Sequence, residues 1–133
     1  MVSKFSNTQN TNDKLTLILF KTYFFESAHY MPTFSKKHSY GNIHGHTFEI
    51  TVCVKGKKTP SKGWVMDFKK IDAIVNPLIR KIDHKLLNDV KGLENPTSEN
   101  IAIWFWKNIK KKIPNLKEIE INRPRVGGCS YSE

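Results

Sequence analysis

Residues 44–55, HGHTFEITVCVK, alternate apolar and polar side chains along their whole length. A two-residue period is typical of a β-strand with one face buried and does not fit an amphipathic helix. Residues 15–30, LTLILFKTYFFESAHY, are β-branched and aromatic and predict another strand. A loop with Pro and Gly joins the two segments, so we expect them to pair antiparallel.

Two helices are predicted next. Asp67 is a suitable N-cap for the first helix, and Pro77 should kink or locally break it. The second helix should begin at Pro96 or Thr97. The apolar faces at helical spacing consist of Phe68, Ile71, Ile74, Val75, Leu78 and Ile79 in the first helix, and of Ile101, Trp104, Phe105 and Ile109 in the second.

Two short strands complete the chain, LKEIEIN after Pro114 and GGCSYSE at the end. The order ββααββ predicts an α+β fold, a four-stranded antiparallel sheet with two helices on one face. A chain of 133 residues suits one domain, residues 15–133. Residues 1–14 are polar and predict a flexible tail rather than a signal peptide, and no apolar run approaches a membrane span. We therefore expect a cytoplasmic protein that does not enter a membrane.

The net charge of +10 suits a polyanionic small molecule, nucleic acid or simply a solvated basic surface. The basic residues are widely spread and no basic-aromatic motif of an RNA-binding sheet is present, so nucleic acid is not the expected partner. The two cysteines, Cys53 and Cys129, lack CxxC spacing and argue against a disulfide scaffold or a thiolate zinc cluster. Cys53 is an odd number of residues from His46, so we expect it to face away from His46 as a small core residue.

Three histidines suggest a metal site. His44 and His46 are two apart on a strand, so their imidazoles share one face, and His29 ends the preceding strand. Three neutral imidazoles suit an open, catalytic Zn²⁺ site with a fourth position for water or substrate. The alternative is that they are unrelated surface or core histidines, since HxH alone is a weak signal. His38 lies in the loop and is interpreted as a bystander or a group on the substrate side.

Five motifs then occur in order: FFESAHYM, HGHTFEI, GWVMDF, IDHKLLND and ENPTSEN. Together they resemble the 6-pyruvoyl-tetrahydropterin synthase family, closest to its bacterial branch, the 6-carboxy-tetrahydropterin synthases of queuosine biosynthesis. The resemblance covers the chain from about Phe20 to the end. It implies the T-fold, with trimeric barrels that stack into hexamers and sites at subunit interfaces.

The resemblance also implies roles for individual residues. His29, His44 and His46 correspond to the zinc ligands, and Asp83 with His84 to a proton-relaying pair. By chemistry alone the Asp would orient the imidazole, although a histidine is also common in a helix C-terminal turn. The residues that correspond to the loop that hydrogen-bonds the pterin ring are Thr97, Ser98 and Glu99.

Two departures from the family pattern stand out. The bacterial branch has a catalytic cysteine four residues before HGH, where this chain has Tyr40. A phenol holds its proton at neutral pH, where an activated cysteine forms a thiolate. A glutamate that anchors the guanidine-like edge of the pterin is matched here by Asn122, with Glu120 two residues away on the same strand face.

Three hypotheses remain at this point. The first is a zinc-dependent lyase that converts 7,8-dihydroneopterin triphosphate into 6-carboxy- or 6-pyruvoyl-tetrahydropterin, with Tyr40 as general acid/base. The second is a divergent zinc enzyme of the same fold that acts on another pterin or purine-like substrate. The third is a zinc-stabilised binding module without turnover.

Overall fold

A long antiparallel strand pair forms the centre of the molecule, as predicted. The computed structural model describes residues 15–133, and the predicted tail, 1–14, lies outside the described residues. Strand β1 spans Leu17–His29 and strand β2 spans His44–Gly56. Their register runs from Leu17 opposite Gly56 to His29 opposite His44. The pairing therefore brings the predicted metal ligands of both strands to one end of the sheet.

The remaining strands extend the sheet on the far side of β2. Strand β3 spans Leu116–Arg123 and strand β4 spans Gly127–Tyr131. The sheet order is β1-β2-β3-β4 with every neighbouring pair antiparallel. Among the described residues, β1 and β4 are thus the two edges.

Helix α1 spans Phe68–Ile82 and helix α2 spans Ser98–Lys110, with a short 3-10 turn at Leu87–Asp89 between them. Asp67 is the N-cap of α1, where its side chain accepts a hydrogen bond from the Lys69 N–H. Thr97 caps α2 in the same way, by accepting from the Asn100 N–H. Both helix starts are where the sequence predicts them. Within residues 15–133, no helix has the length and apolar character that a membrane crossing requires.

The predicted break at Pro77 is wrong, because α1 is continuous from Phe68 to Ile82. Proline removes one backbone hydrogen bond from the helix. Val75 before it and Ile82 after it are both fully buried, so the packing of the two turns against the sheet outweighs that loss. Phe68 also departs from the prediction: it is 45% exposed instead of lying on the buried face.

The core lies between the helices and one face of the sheet. On β2 the buried residues alternate from Phe48 to Val54, in the same parity as His44 and His46. The α+β prediction with both helices on one face is confirmed. The prediction of Cys53 as a core residue is wrong, because this parity places Cys53 on the face without helices, where it is only half-buried. Its orientation away from His46 is confirmed.

Candidate metal centre and ligand pocket

Three imidazoles converge at the end of the sheet where β1 and β2 meet. His29 ends β1, His44 begins β2 and His46 follows two residues later on the same face. One nitrogen from each ring lies within 4.8 Å of the other two. The rings meet edge to face, with centroids 4.6 Å apart for His29 and His44 and 5.0 Å apart for His29 and His46. The strand register alone therefore gathers the three candidate ligands.

Backbone carbonyls fix two of the three rings. His29 Nδ1 lies 2.8 Å from the Pro96 carbonyl oxygen, and His44 Nδ1 lies 2.7 Å from that of Asn42. An Nδ1–H donated to each carbonyl leaves Nε2 unprotonated and free to bind a metal. Such partners are the usual means by which proteins orient histidine ligands.

The surroundings favour the neutral form of the His29 and His46 imidazoles. Burial lowers the pKa of His29 to about 4, assisted by His44, His46 and Arg123 and opposed by the Pro96 hydrogen bond. Burial, Arg123 and His44 also lower the pKa of His46. Metal binding requires deprotonated imidazoles, so no proton has to leave at neutral pH.

The donor set fits Zn²⁺. His29 is 1% exposed, yet its Nε2 has no hydrogen-bond partner among the described residues. A buried nitrogen without a partner is costly unless it binds something. Three imidazoles with a vacant fourth direction are typical of catalytic zinc sites.

A pocket of about 600 Å³ opens beside the histidines. Within residues 15–133, three buried side-chain polar atoms lack a hydrogen-bond partner: His29 Nε2, Ser98 Oγ and Arg123 Nε. All three residues line this one pocket. Because buried polar groups are almost always satisfied in folded proteins, this concentration indicates a ligand-binding site.

The first turn of α2 and the loop after β1 form further walls of the pocket. Thr97, Ser98 and Glu99 all line it, as does Tyr40. The Tyr40 ring lies 5.2 Å from the Phe34 ring and 4.8 Å from the His38 ring, and Tyr40 is 55% exposed. The structure therefore brings Tyr40 and the Thr97–Glu99 turn together with the three histidines.

The sequence profile of the family described as 6-pyruvoyl tetrahydropterin synthase matches residues 18–133. The chain belongs to this family. A 6-carboxy-5,6,7,8-tetrahydropterin synthase of Synechocystis is 39% identical over 120 residues, which cover 86% of this chain and 92% of the relative. A dihydroneopterin monophosphate aldolase of Pyrococcus furiosus is 39% identical over 90 residues, 68% of this chain and 72% of the relative.

The fold is also that of the family. A 6-pyruvoyl tetrahydropterin synthase of Caenorhabditis elegans superposes with a TM-score of 0.79 at 23% identity, over 90% of this chain and 96% of that one. At this identity the likeness establishes the T-fold alone, which confirms the fold prediction.

Asp83 and His84 lie at the C-terminal end of α1, and neither lines the pocket beside the three histidines. His84 Nδ1 is 3.0 Å from Asp83 Oδ1, and the Glu26 N–H donates to the same carboxylate oxygen at 2.9 Å. That backbone donor, together with His84, lowers the pKa of Asp83 against a smaller opposing effect of burial. His84 has the left-handed φ of 57°, and its N–H donates to the Glu26 carbonyl oxygen. The pair is therefore held along the outer edge of β1.

His84 does not line the pocket that the three histidines share. His84 borders a separate pocket with Glu26 and Thr47, residues of the sheet face without helices. Among the described residues, only His46 borders both pockets. One chain therefore does not bring the pair to Tyr40.

Asn122 and Glu120 also lie away from the histidines. Asn122 Nδ2 donates to Glu49 Oε2 at 3.3 Å, and both Asn122 and Glu120 border a pocket that is separate from the one beside the histidines. The residue of this strand that lines the pocket is Arg123, which sequence reasoning missed. Its Nη1 is 3.5 Å from His46 Nε2. Strand parity, counted from buried Ile119 and Ile121, would have indicated Arg123.

Proposed function

We propose that the chain is a zinc-dependent lyase of pterin metabolism that acts on 7,8-dihydroneopterin triphosphate. The product would be 6-carboxy- or 6-pyruvoyl-tetrahydropterin, with release of triphosphate. The observation that carries the proposal is that, within residues 15–133, every buried side-chain polar atom without a hydrogen-bond partner belongs to a residue lining the pocket beside the three histidines. Family membership supplies the pterin class of substrate.

His29, His44 and His46 would hold the metal. Bound there, Zn²⁺ would polarise a carbonyl or hydroxyl of the substrate side chain. The carbonyls of Pro96 and Asn42 would keep the His29 and His44 rings in their tautomers throughout.

The first turn of α2 would bind the pterin ring. The Glu99 carboxylate is suited to accept hydrogen bonds from the amino edge of the ring, and Ser98 Oγ is buried without a partner. Because the Thr97 hydroxyl caps the helix, its backbone position is fixed before a ligand arrives.

Proton transfer would use Tyr40 from the pocket side and the Asp83–His84 pair from another copy of the chain. His84 is exposed and borders a different pocket, so we assign the pair to the site of a second subunit. The exposed apolar side chains of β1, Ile18, Phe20 and Phe24, and the positions of β1 and β4 at the two edges of the sheet support assembly with further copies. We propose a hexamer, a dimer of trimers, as the working form.

A second candidate is aldol cleavage of a dihydroneopterin phosphate. Tyr40 occupies the position of the expected cysteine, and one similar protein is named a dihydroneopterin monophosphate aldolase. In this reaction a base removes the proton of the C2′ hydroxyl and the C1′–C2′ bond breaks. A two-carbon aldehyde phosphate leaves, and C1′ takes up a proton to give a hydroxymethyl pterin.

Mass spectrometry of the zinc-loaded protein distinguishes the two candidates. The protein is incubated separately with 7,8-dihydroneopterin triphosphate and monophosphate, beside Tyr40→Phe and Tyr40→Cys. Triphosphate release with a carboxy- or pyruvoyl-pterin supports the first candidate, and loss of that activity in Tyr40→Phe assigns the proton step to Tyr40. A hydroxymethyl pterin supports the second. No turnover of either substrate by the wild type would refute both.

A further inference from the structure

Arg123 is the last residue of β3 and faces the helices, on the same side of the sheet as the three histidines. Its Nη1 lies 3.5 Å from His46 Nε2, and its Nε is buried without a hydrogen-bond partner. Within residues 15–133 no carboxylate lies within salt-bridge distance of Arg123, and the ion pairs found there involve Lys21 with Asp72 and His84 with Asp83. A half-buried guanidinium therefore lines the pocket with no carboxylate counter-ion among residues 15–133.

The positive charge of Arg123 favours an anion as its partner in the pocket. Arginine stays protonated at any physiological pH, so its guanidinium is a fixed positive charge 3.5 Å from His46 Nε2. A divalent cation on His46 would place a second positive centre next to the guanidinium. Two cations at such a distance repel unless an anion lies between them. Glu99 lines the same pocket but forms no ion pair with Arg123.

We propose that Arg123 binds an oxyanion of the ligand, a carboxylate or a phosphate monoester, next to the metal position. This proposal rests on the proposed function for the metal at the three histidines. The guanidinium presents parallel N–H donors that match both oxyanions in a two-point contact. Arg123 is thus a specificity-determining residue, which selects substrates whose side chain is charged over neutral pterins.

The opposite charges in the pocket give the ligand a direction. Glu99, at the start of α2, accepts from a donor edge, whereas Arg123, at the end of β3, donates to an anion. A ligand with an amino edge at one end and an oxyanion at the other satisfies both. A ligand with only one of these features leaves the opposite charge without a partner, which is costly in a partly buried site.

Binding measurements test the proposal without relying on turnover. Calorimetry on the zinc-loaded and the metal-free protein compares the affinities for two pairs of ligands, each with one charged and one neutral member. The first pair is pterin-6-carboxylate and 6-hydroxymethylpterin, and the second is neopterin monophosphate and neopterin. A charge-assisted pair of hydrogen bonds predicts a preference of about 10- to 100-fold for the charged member. The pair with the larger preference identifies the oxyanion.

Arg123→Gln should reduce that preference to about twofold or less, and Arg123→Lys should restore part of it. Arg125→Gln is the matched control. It changes the same residue type two positions away, in the turn before β4, at a residue that does not line the pocket. Arg125→Gln should therefore bind like the wild type.

Equal affinity of the wild type for charged and neutral members of both pairs would overturn the proposal. An unchanged preference in correctly folded Arg123→Gln would do so as well, even if the enzyme turns over its substrate. If no pterin binds, inorganic phosphate is the remaining probe. Phosphate binding that depends on Arg123 would then uphold the oxyanion site although the proposed function fails. The absence of such phosphate binding would refute both the oxyanion site and the proposed function.

Discussion

The assignment of the metal ligands predicts how much Zn²⁺ stabilises the folded protein. A ligand that binds only the native state adds RT ln(1 + [L]/Kd) to the free energy of unfolding. With free Zn²⁺ buffered at about 100 times its Kd, the wild type should gain about 2.7 kcal/mol. A chain of 133 residues has an unfolding entropy of roughly 0.28 kcal/mol/K. The expected rise in Tm is therefore about 10 °C.

His46→Ala removes one of the three converging nitrogens. Removal of a residue that hydrogen-bonds to a metal ligand weakens metal binding by about 10- to 100-fold. Removal of the ligand itself should therefore weaken Zn²⁺ binding by at least about 100-fold. At the same free Zn²⁺ the stabilisation then falls to about 0.4 kcal/mol, a Tm shift of about 1–2 °C.

The matched control is His38→Ala. His38 is also a histidine near the pocket mouth, but its Nδ1 accepts from the Tyr40 N–H and it is not part of the converging set. It should keep the full Zn²⁺ shift. Thermal unfolding in zinc buffers at one fixed protein concentration measures all three proteins, with zinc content checked by elemental analysis. An equal shift in His46→Ala and the wild type would refute the ligand assignment, and loss of the shift in His38→Ala would add His38 to the site.

Three further predictions concern stability, pH and proton transfer. Thr97→Ala should lower the free energy of unfolding by about 1 kcal/mol in urea titrations, because the N-cap of α2 is lost, and Thr97→Ser should retain most of it. The folded pKa of His29 is about 4, below its unfolded value of about 6.5, so the metal-free unfolded chain takes up the proton first. Stability is then fully present above about pH 6.5 and falls by about 3 kcal/mol toward pH 4, and chelator-treated protein with a flat profile would contradict this. Asp83→Asn keeps an oxygen for the Glu26 N–H but loses the charge beside His84, so it should fold normally and lose most turnover in the product assay.

The convergence of the three histidines was predictable because it depends on two local rules. Residues two apart on a strand share a face, and a loop of moderate length returns the chain beside the strand that it left. The first rule applies to HGHTFEITVCVK, whose alternation puts His44 and His46 on one face. The second applies to β1, which ends at His29 and so brings this residue opposite His44. The carbonyl partner of His29 was not predictable, because Pro96 comes from a segment far away in the sequence.

Pro77 and Cys53 show where local rules fail. The proline rule describes one lost hydrogen bond but not the burial of Val75 and Ile82 on either side of it, which requires the packed structure. For Cys53 the parity relative to His46 was right, but the site face and the core face were assumed to differ. In the structure the histidines continue the same face as Phe48, so the residue that points away from the histidines also points away from the core.

The same assumption explains why Arg123 was missed. The family resemblance directed attention to Asn122, at the position matched to the anchoring glutamate, and to Glu120 on the same strand face. Strand geometry instead selects by parity: Ile119 and Ile121 are buried against the helices, so the next residue on that face is Arg123. The pocket still contains a carboxylate, but it comes from Glu99 on α2. With a carboxylate supplied by a helix, the strand end is free to carry a guanidinium, which is the group that we propose as the anion-binding site beside the three histidines.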